Sequence, residues 1–212
     1  MKKFLLKLLL IVLFTANGQK LLSEKYIQDS KLPTLAGPSF DFESSIDESE
    51  RENYEVTVDF IKEHEGYANG YAYRCVSGKL TIGYGHVIRE GEEFPEQISV
   101  ATADSLLRAD MKSAYSSANK VYPELRGSKK MAITHFIFSK GIGSFLKSGL
   151  KKQIDANGDV DQEFEKWCYY TDCKTGNKVY SKVASRIQEW EKNMWHKDDL
   201  LYAKAAIQQQ GR

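Results

Sequence analysis

The stretch from Gly66 to Gly85 constrains the fold of this chain more than any other. It holds five glycines in twenty residues, and its apolar residues alternate, at Tyr71 and Tyr73 and again at Leu80, Ile82 and Tyr84. Alternation of period two places successive side chains on opposite faces of an extended chain, so the stretch predicts short strands. Ser77-Gly78 lies between the two runs and supplies a turn. The expectation is a small antiparallel hairpin of three strands, with its edge near Val87.

Both flanks read as helix. Val56 and Phe60 are four apart and Val58 and Ile61 three apart, which predicts a helix from about Tyr54 that Gly66 can stop in a left-handed cap. Downstream, Ser99 is placed to cap a long helix whose apolar stripe runs Ala103, Leu106, Leu107, Met111, Ala114, Ala118 and Val121, ended by Pro123. Met131 to Phe138 is apolar enough for a central buried helix. Gly141 and Gly143 break it, and Phe145 to Ile154 resumes helical spacing. Val183, Ile187, Trp190 and Met194 fall on one face of a closing helix, and Trp167, Trp190 and Trp195 read as core residues. The fold class is α+β: a small hairpin lobe and a larger helical lobe, with a substrate cleft between them.

A chain of 212 residues with 12% aromatic and 28% charged residues accommodates one domain of ordinary size plus tails. The expected division is a signal peptide over 1–18, an acidic flexible linker or arm over 19–53, a catalytic domain over 54–197 and a tail over 198–212. Lys2 and Lys3, the apolar run Leu8 to Phe14, and Ala16-Asn17-Gly18 form the pattern of a leader cleaved before Gln19. The apolar run is short for a membrane span and Lys7 precedes it, so no integral membrane domain is expected after cleavage. The mature chain is expected as a monomer, exported through the inner membrane to the periplasm or beyond. The arm ends in the acidic run Asp47-Glu48-Ser49-Glu50 and lacks apolar periodicity, so deleting 19–50 is expected to leave stability unchanged. The formal net charge of +1 argues against nucleic acid as a partner, for which a clustered basic face is needed.

The carbonyl end of a helix carries partial negative charge, and a cleft withdraws a carboxyl from water. Both favour the protonated form that a general acid needs. Glu65 occupies such a place, at the end of a helix and just before the glycine-rich hairpin. Glu63, two residues earlier, lies about 200° round the same helix and points elsewhere. His64-Glu65 lacks a second His four residues on, where Ala68 stands, so zinc is not expected. Asp155 to Asp161 fails as a calcium loop, because Val160 and Lys166 stand where its Gly and final Glu belong. No cofactor or metal is expected.

His64-Glu65-Gly66, then Ala72-Tyr73-Arg74-Cys75, then Gly78-Lys79-Leu80-Thr81-Ile82-Gly83-Tyr84-Gly85-His86 resembles the active-site region of the phage-type lysozymes, glycoside hydrolase family 24. Five residues separate Cys75 from Thr81, as in that family. The likeness extends through Leu106-Leu107 and Asp110, Ala132 to Gly143, and Phe164 to Trp167, covering roughly residues 54–197. It implies hydrolysis of the β-1,4 bond between N-acetylmuramic acid and N-acetylglucosamine in peptidoglycan glycan strands. Glu65 would be the acid, Cys75 and Thr81 would hold or activate water on the opposite face of the sugar, and Tyr73, Tyr84 and His86 would line the substrate site.

The chain departs from the family pattern in three places. Nine residues, Gly66 to Arg74, separate Glu65 from Cys75, one more than usual; Ser139 replaces an Asn; and paired arginines of the last helix are reduced to Ser185-Arg186. These departures leave open a non-catalytic wall-binding protein, and Cys75 with His86 leaves open a cysteine peptidase. Three cysteines leave at least one unpaired within the chain. Cys75, where the family also accepts Asp, is expected to be that one, with Cys168 and Cys173 either bridged or both reduced.

Overall fold

The computed structural model describes residues 46–75, 78–171 and 175–210. The expected leader, the arm as far as residue 45, and Cys173 lie outside these residues. Helix α1 runs Glu48–Glu65, starting six residues before the expected Tyr54. Asp47 caps it by accepting a hydrogen bond from Glu50 N at 2.8 Å. The acidic run that reads as a solvated linker is therefore a helix start, where carboxylates meet the positive end of the backbone dipole. Glu50, Asn53, Tyr54, Thr57, Val58 and Ile61 form its buried stripe.

The alternating stretch forms β1 (Tyr73–Arg74), β2 (Leu80–Ile82) and β3 (His86–Val87), antiparallel in that order. The turn between β2 and β3 crosses close to the next helix, α2 (Val100–Val121). Gly83 has φ +61°, and a Cβ there would stand 2.9 Å from the Ala103 Cβ, so only a glycine fits. Ser99 caps α2 as the sequence predicts, accepting from Thr102 N at 3.1 Å. In the loop after β3, Arg89 N donates to Glu92 Oε2 at 2.9 Å and Glu92 N to Arg89 O at 3.1 Å.

Helix α3 (Gly127–Lys140) is buried from Gly127 to Ile137 except at Lys129. It contributes to both hydrophobic clusters of the body: Met131 and Ala132 pack with Tyr54, Val58, Ile61, Leu107, Met111 and Met194, and Ile133, Phe136 and Ile137 with Phe145, Leu150 and Phe164. The single helical stretch expected over Phe145–Ile154 is two helices, α4 (Ile142–Lys147) and α5 (Gly149–Asp155). Ser148 separates them and caps the second. After α6 (Asp161–Glu165) comes a hairpin that the sequence pattern does not disclose, β4 (Tyr169–Thr171) with β5 (Lys178–Tyr180). Cys168, just before it, is a buried free thiol, and the expected alternatives for its pairing with Cys173 lie outside the described residues.

Helix α7 spans Lys182–Gln210, so the expected boundary at 197/198 falls inside a helix. Asp198 accepts from Ser128 N at 2.8 Å, and Asp199 pairs with Lys129 at 2.9 Å, placing two carboxylates at the N-terminal turn of α3. Among the described residues no helix is long and apolar enough to cross a membrane.

Glu50 is 2% exposed, and its carboxylate accepts from Tyr115 Oη and Gly127 N, both at 3.3 Å. Deleting residues 19–50 would remove these bonds, the Asp47 cap and the buried Ile46 together. The melting temperature should fall by on the order of 10 °C in a calorimetric scan, against the neutral outcome expected from sequence.

Lys130 is fully buried; its ammonium donates to Asn119 Oδ1 at 2.7 Å and Tyr122 O at 2.9 Å. Burial first, then Arg126, pushes its pKa down to about 8. Between pH 8 and 10 the unfolded chain therefore binds more protons than the folded one at this residue, and stability rises with pH. Thermal melts at pH 8, 9 and 10 should show the parent chain gaining on Lys130→Met across that window.

Candidate active site

Glu65 is the last residue of α1, and Gly66, at φ +70°, turns the chain away while its N–H closes on Lys62 O at 3.3 Å. The Glu65 side chain is 35% exposed. Its carboxyl lies against Gly85 in the β2–β3 turn, where an added Cβ would stand 3.6 Å from Oε2. Gly85 has φ +90°, so the glycine both makes the turn and leaves the carboxyl room.

The sheet register supplies the other side of the site. Tyr73 pairs with Thr81, and Cys75 extends the ladder by donating its N–H to Lys79 O at 3.0 Å. Side chains alternate along a strand, so Tyr73, Cys75 and Thr81 belong to one face. Burial, then the charge of Glu65, then that of Cys75, raises the Tyr73 phenol above its ordinary range, which places all three residues within electrostatic reach. Thr81 is 2% exposed and donates its hydroxyl proton to Lys79 O at 3.2 Å, leaving oxygen lone pairs to accept. Between Glu65 and Tyr73 the chain makes a left-handed turn at Ala68, Asn69 and Gly70, with φ of 49°, 54° and 76°.

Two of the residues expected to line the substrate site also make contacts within the body. His86 is 4% exposed, and its Nδ1 is 2.7 Å from Asp110 Oδ2 on α2. Its partner across the ladder is Ile82, on the face opposite Thr81, so the sheet does not build the Cys75–His86 pair of a cysteine peptidase. Tyr84 is half-buried, packed on the core with its ring 6.0 Å from that of Tyr67. The residue that sequence reasoning passed over is His64, whose Nε2 is 3.5 Å from Glu65 Oε1. Its spacing of four from Phe60 was the available signal, since residues four apart share a helix face. Among the described residues no group of three His, Cys, Asp or Glu could hold a metal ion.

A carboxyl at a helix end beside a strand that offers a hydroxyl and a thiol is an arrangement open to acid catalysis. Residues 62–189 match the phage lysozyme family, more than half the chain, and the chain belongs to that family. It is 31% identical over 111 residues to the endolysin of Acyrthosiphon pisum secondary endosymbiont phage 1, covering 50% of this chain and 73% of that one. It is 34% identical over 85 residues to the SAR-endolysin of Escherichia phage Mu, covering 40% of this chain and 48% of that one. Two solved structures share the fold. The muramidase domain of SpmX from Asticaccaulis excentricus has a TM-score of 0.57 at 23% identity, covering 66% of this chain and 94% of that one. The endolysin from Escherichia coli O157:H7 phage FAHEc1 has 0.56 at 24%, covering 66% and 89%.

If His86 serves the scaffold, His86→Gln should cost about 1.5–3 kcal/mol, the range for a hydrogen bond to a charged group. Lytic activity per folded molecule should stay within a few-fold of the parent. Urea denaturation and a lysis assay well below the melting temperature measure the two separately.

Proposed function

We infer that this lysozyme hydrolyses the β-1,4 bond between N-acetylmuramic acid and N-acetylglucosamine in bacterial peptidoglycan, with inversion, and that Glu65 is its general acid. The observation that carries this reading is the meeting of Glu65 with the Tyr73, Cys75 and Thr81 face of the hairpin. Glu65 gives its proton to the glycosidic oxygen as the bond to the sugar's anomeric carbon breaks. Water attacks that carbon from the opposite face of the ring, held by Thr81 Oγ1, which has lone pairs to accept a water proton, and by Cys75. A threonine hydroxyl is no base near neutral pH and an ordinary thiol, of pKa about 8.5, is mostly protonated there. Catalysis therefore leans on the acid. Tyr73, on the same face, borders the sugar.

The place of action follows from the leader pattern of residues 1–18: export across the inner membrane, cleavage before Gln19, and attack on the wall from the periplasm or outside. The likeness to endolysins supports the same route. The catalytic body begins at Ile46 rather than at residue 54, because the α1 cap and its first buried residues belong to it.

Glu65→Gln should fold with an unchanged melting temperature, since the amide is nearly isosteric, and should release reducing ends from purified peptidoglycan at least ~10²-fold more slowly. Glu63→Gln should remain within a few-fold of the parent. Comparable losses in both variants would remove Glu65 from the role of acid.

A further inference from the structure

Behind Glu65 stands a group of rings and charges that the hydrolytic step does not use. Phe60 stacks flat on Trp190, with centroids 4.2 Å apart and planes at 4°. The His64 ring sits 4.5 Å from Phe60, and the His135 ring lies 5.6 Å from Phe60, 4.9 Å from Trp190 and 5.8 Å from His64. His135 Nδ1 is 2.6 Å from Glu191 Oε1, and neither side chain has any exposed surface. Three helices, α1, α3 and α7, thus contribute to one box, which has His64 as its member nearest the active site.

The box fixes the orientation of His64. Its Nδ1 lies 2.7 Å from Phe60 O, a carbonyl that only accepts, so Nδ1 carries a hydrogen. Nε2 is then the nitrogen at which the second proton comes and goes, and it stands 3.5 Å from Glu65 Oε1, on a side chain only 16% exposed. An imidazole so held does for a carboxyl what a partner base does for a catalytic acid: it limits rotation and keeps a proton within reach.

We propose that His64 is the positioning residue of the catalytic acid: locked by Phe60 and by the buried His135–Glu191 pair, it orients the Glu65 carboxyl and shares one proton with it. This rests on the reading of Glu65 as general acid. When Glu65 gives that proton to the leaving oxygen, a carboxylate beside a neutral imidazole is left, and solvent returns one proton to the pair at His64 Nε2 before the next turnover. The other titratable groups around the pair are His135 and Glu191 from α3 and α7, and Tyr73 and Cys75 from the sheet. On α1, Lys62 is paired with Asp104 of α2. The working form is the pair with one proton, and loss of that proton ends activity on the alkaline side.

The test measures kcat, KM and pH dependence on labelled, purified peptidoglycan for three full-length variants, with melting temperatures alongside. His64→Phe keeps the ring stack and loses the nitrogen; its kcat should fall about tenfold with KM within twofold. His64→Gln can still hydrogen-bond the carboxyl but cannot carry a proton. It should recover most of kcat at the optimum, while the alkaline limb of kcat/KM moves about one pH unit or more to the acid side. If His64→Phe does not fold, the limb of His64→Gln decides alone. A parent-like kcat and limb in both variants, or an unmoved limb in His64→Gln, would overturn the proposal. Glu65→Gln separates the two ideas: an active Glu65→Gln removes the acid itself, whereas an inactive one beside parent-like His64 variants removes only the positioning role.

Discussion

A helix buried on every side must satisfy its polar side chains within the protein, because water cannot reach them. Helix α3 is in that position from Lys130 to Ile137, and it carries Lys130, Thr134 and His135 there. Thr134 closes on its own helix through Lys130 O at 2.8 Å. Lys130 draws in Asn119 and Tyr122 from the end of α2 and the loop beyond it, and Gly127 N draws in Glu50 from the start of α1. His135 takes Glu191 from α7. These demands fix where α1 and α7 lie against α3, and the course of α1 determines where Glu65 emerges.

Helix α1 is held from its other flank as well. Arg108 of α2 donates to both carboxyl oxygens of Glu55, at 2.7 and 2.8 Å, and these bonds hold the Glu55 carboxyl below its usual range. Lys62, one turn before the catalytic end, meets Asp104 on the same helix α2. Glu65, the proposed acid, thus stands on a rigid element, while the groups proposed to hold the water stand on or beside a sheet of two- and three-residue strands. That sheet is fastened to α2 by His86 and Asp110 and by the contact of Gly83 with Ala103. Placement to a fraction of an ångström is what such chemistry requires, and here it is reached from two directions.

The parts of this arrangement that the sequence discloses are those written in local pattern. Alternation from Tyr71 to Tyr84 discloses the sheet, Ser99 and Pro123 bound α2, and the hairpin places Thr81 opposite Tyr73, so the facing halves of the site are legible in the order of residues alone. What stays hidden depends on partners distant in the chain. The partner of His86, Asp110, lies 24 positions on, and His135 and Glu191 are 56 positions apart. The start of α1 is hidden for a different reason: acidic residues serve equally as a solvated spacer and as the first turn of a helix, and only the burial of Ile46 and Glu50 separates the two. The β4–β5 hairpin is invisible because strands of three residues around a Cys-to-Cys segment carry too little alternation to register.

The near contact between Gly83 and Ala103 bears on how relatives of this chain can diverge. Residue 103 is a fully buried alanine, yet the turn that lies over it leads directly to Gly85 and the Glu65 carboxyl. A larger side chain at 103 would lift that turn, and any side chain at 83 would collide with the helix. The two positions drift as one unit. Small residues should outlast much of the surrounding sequence there, a mark of descent kept by steric fit alone.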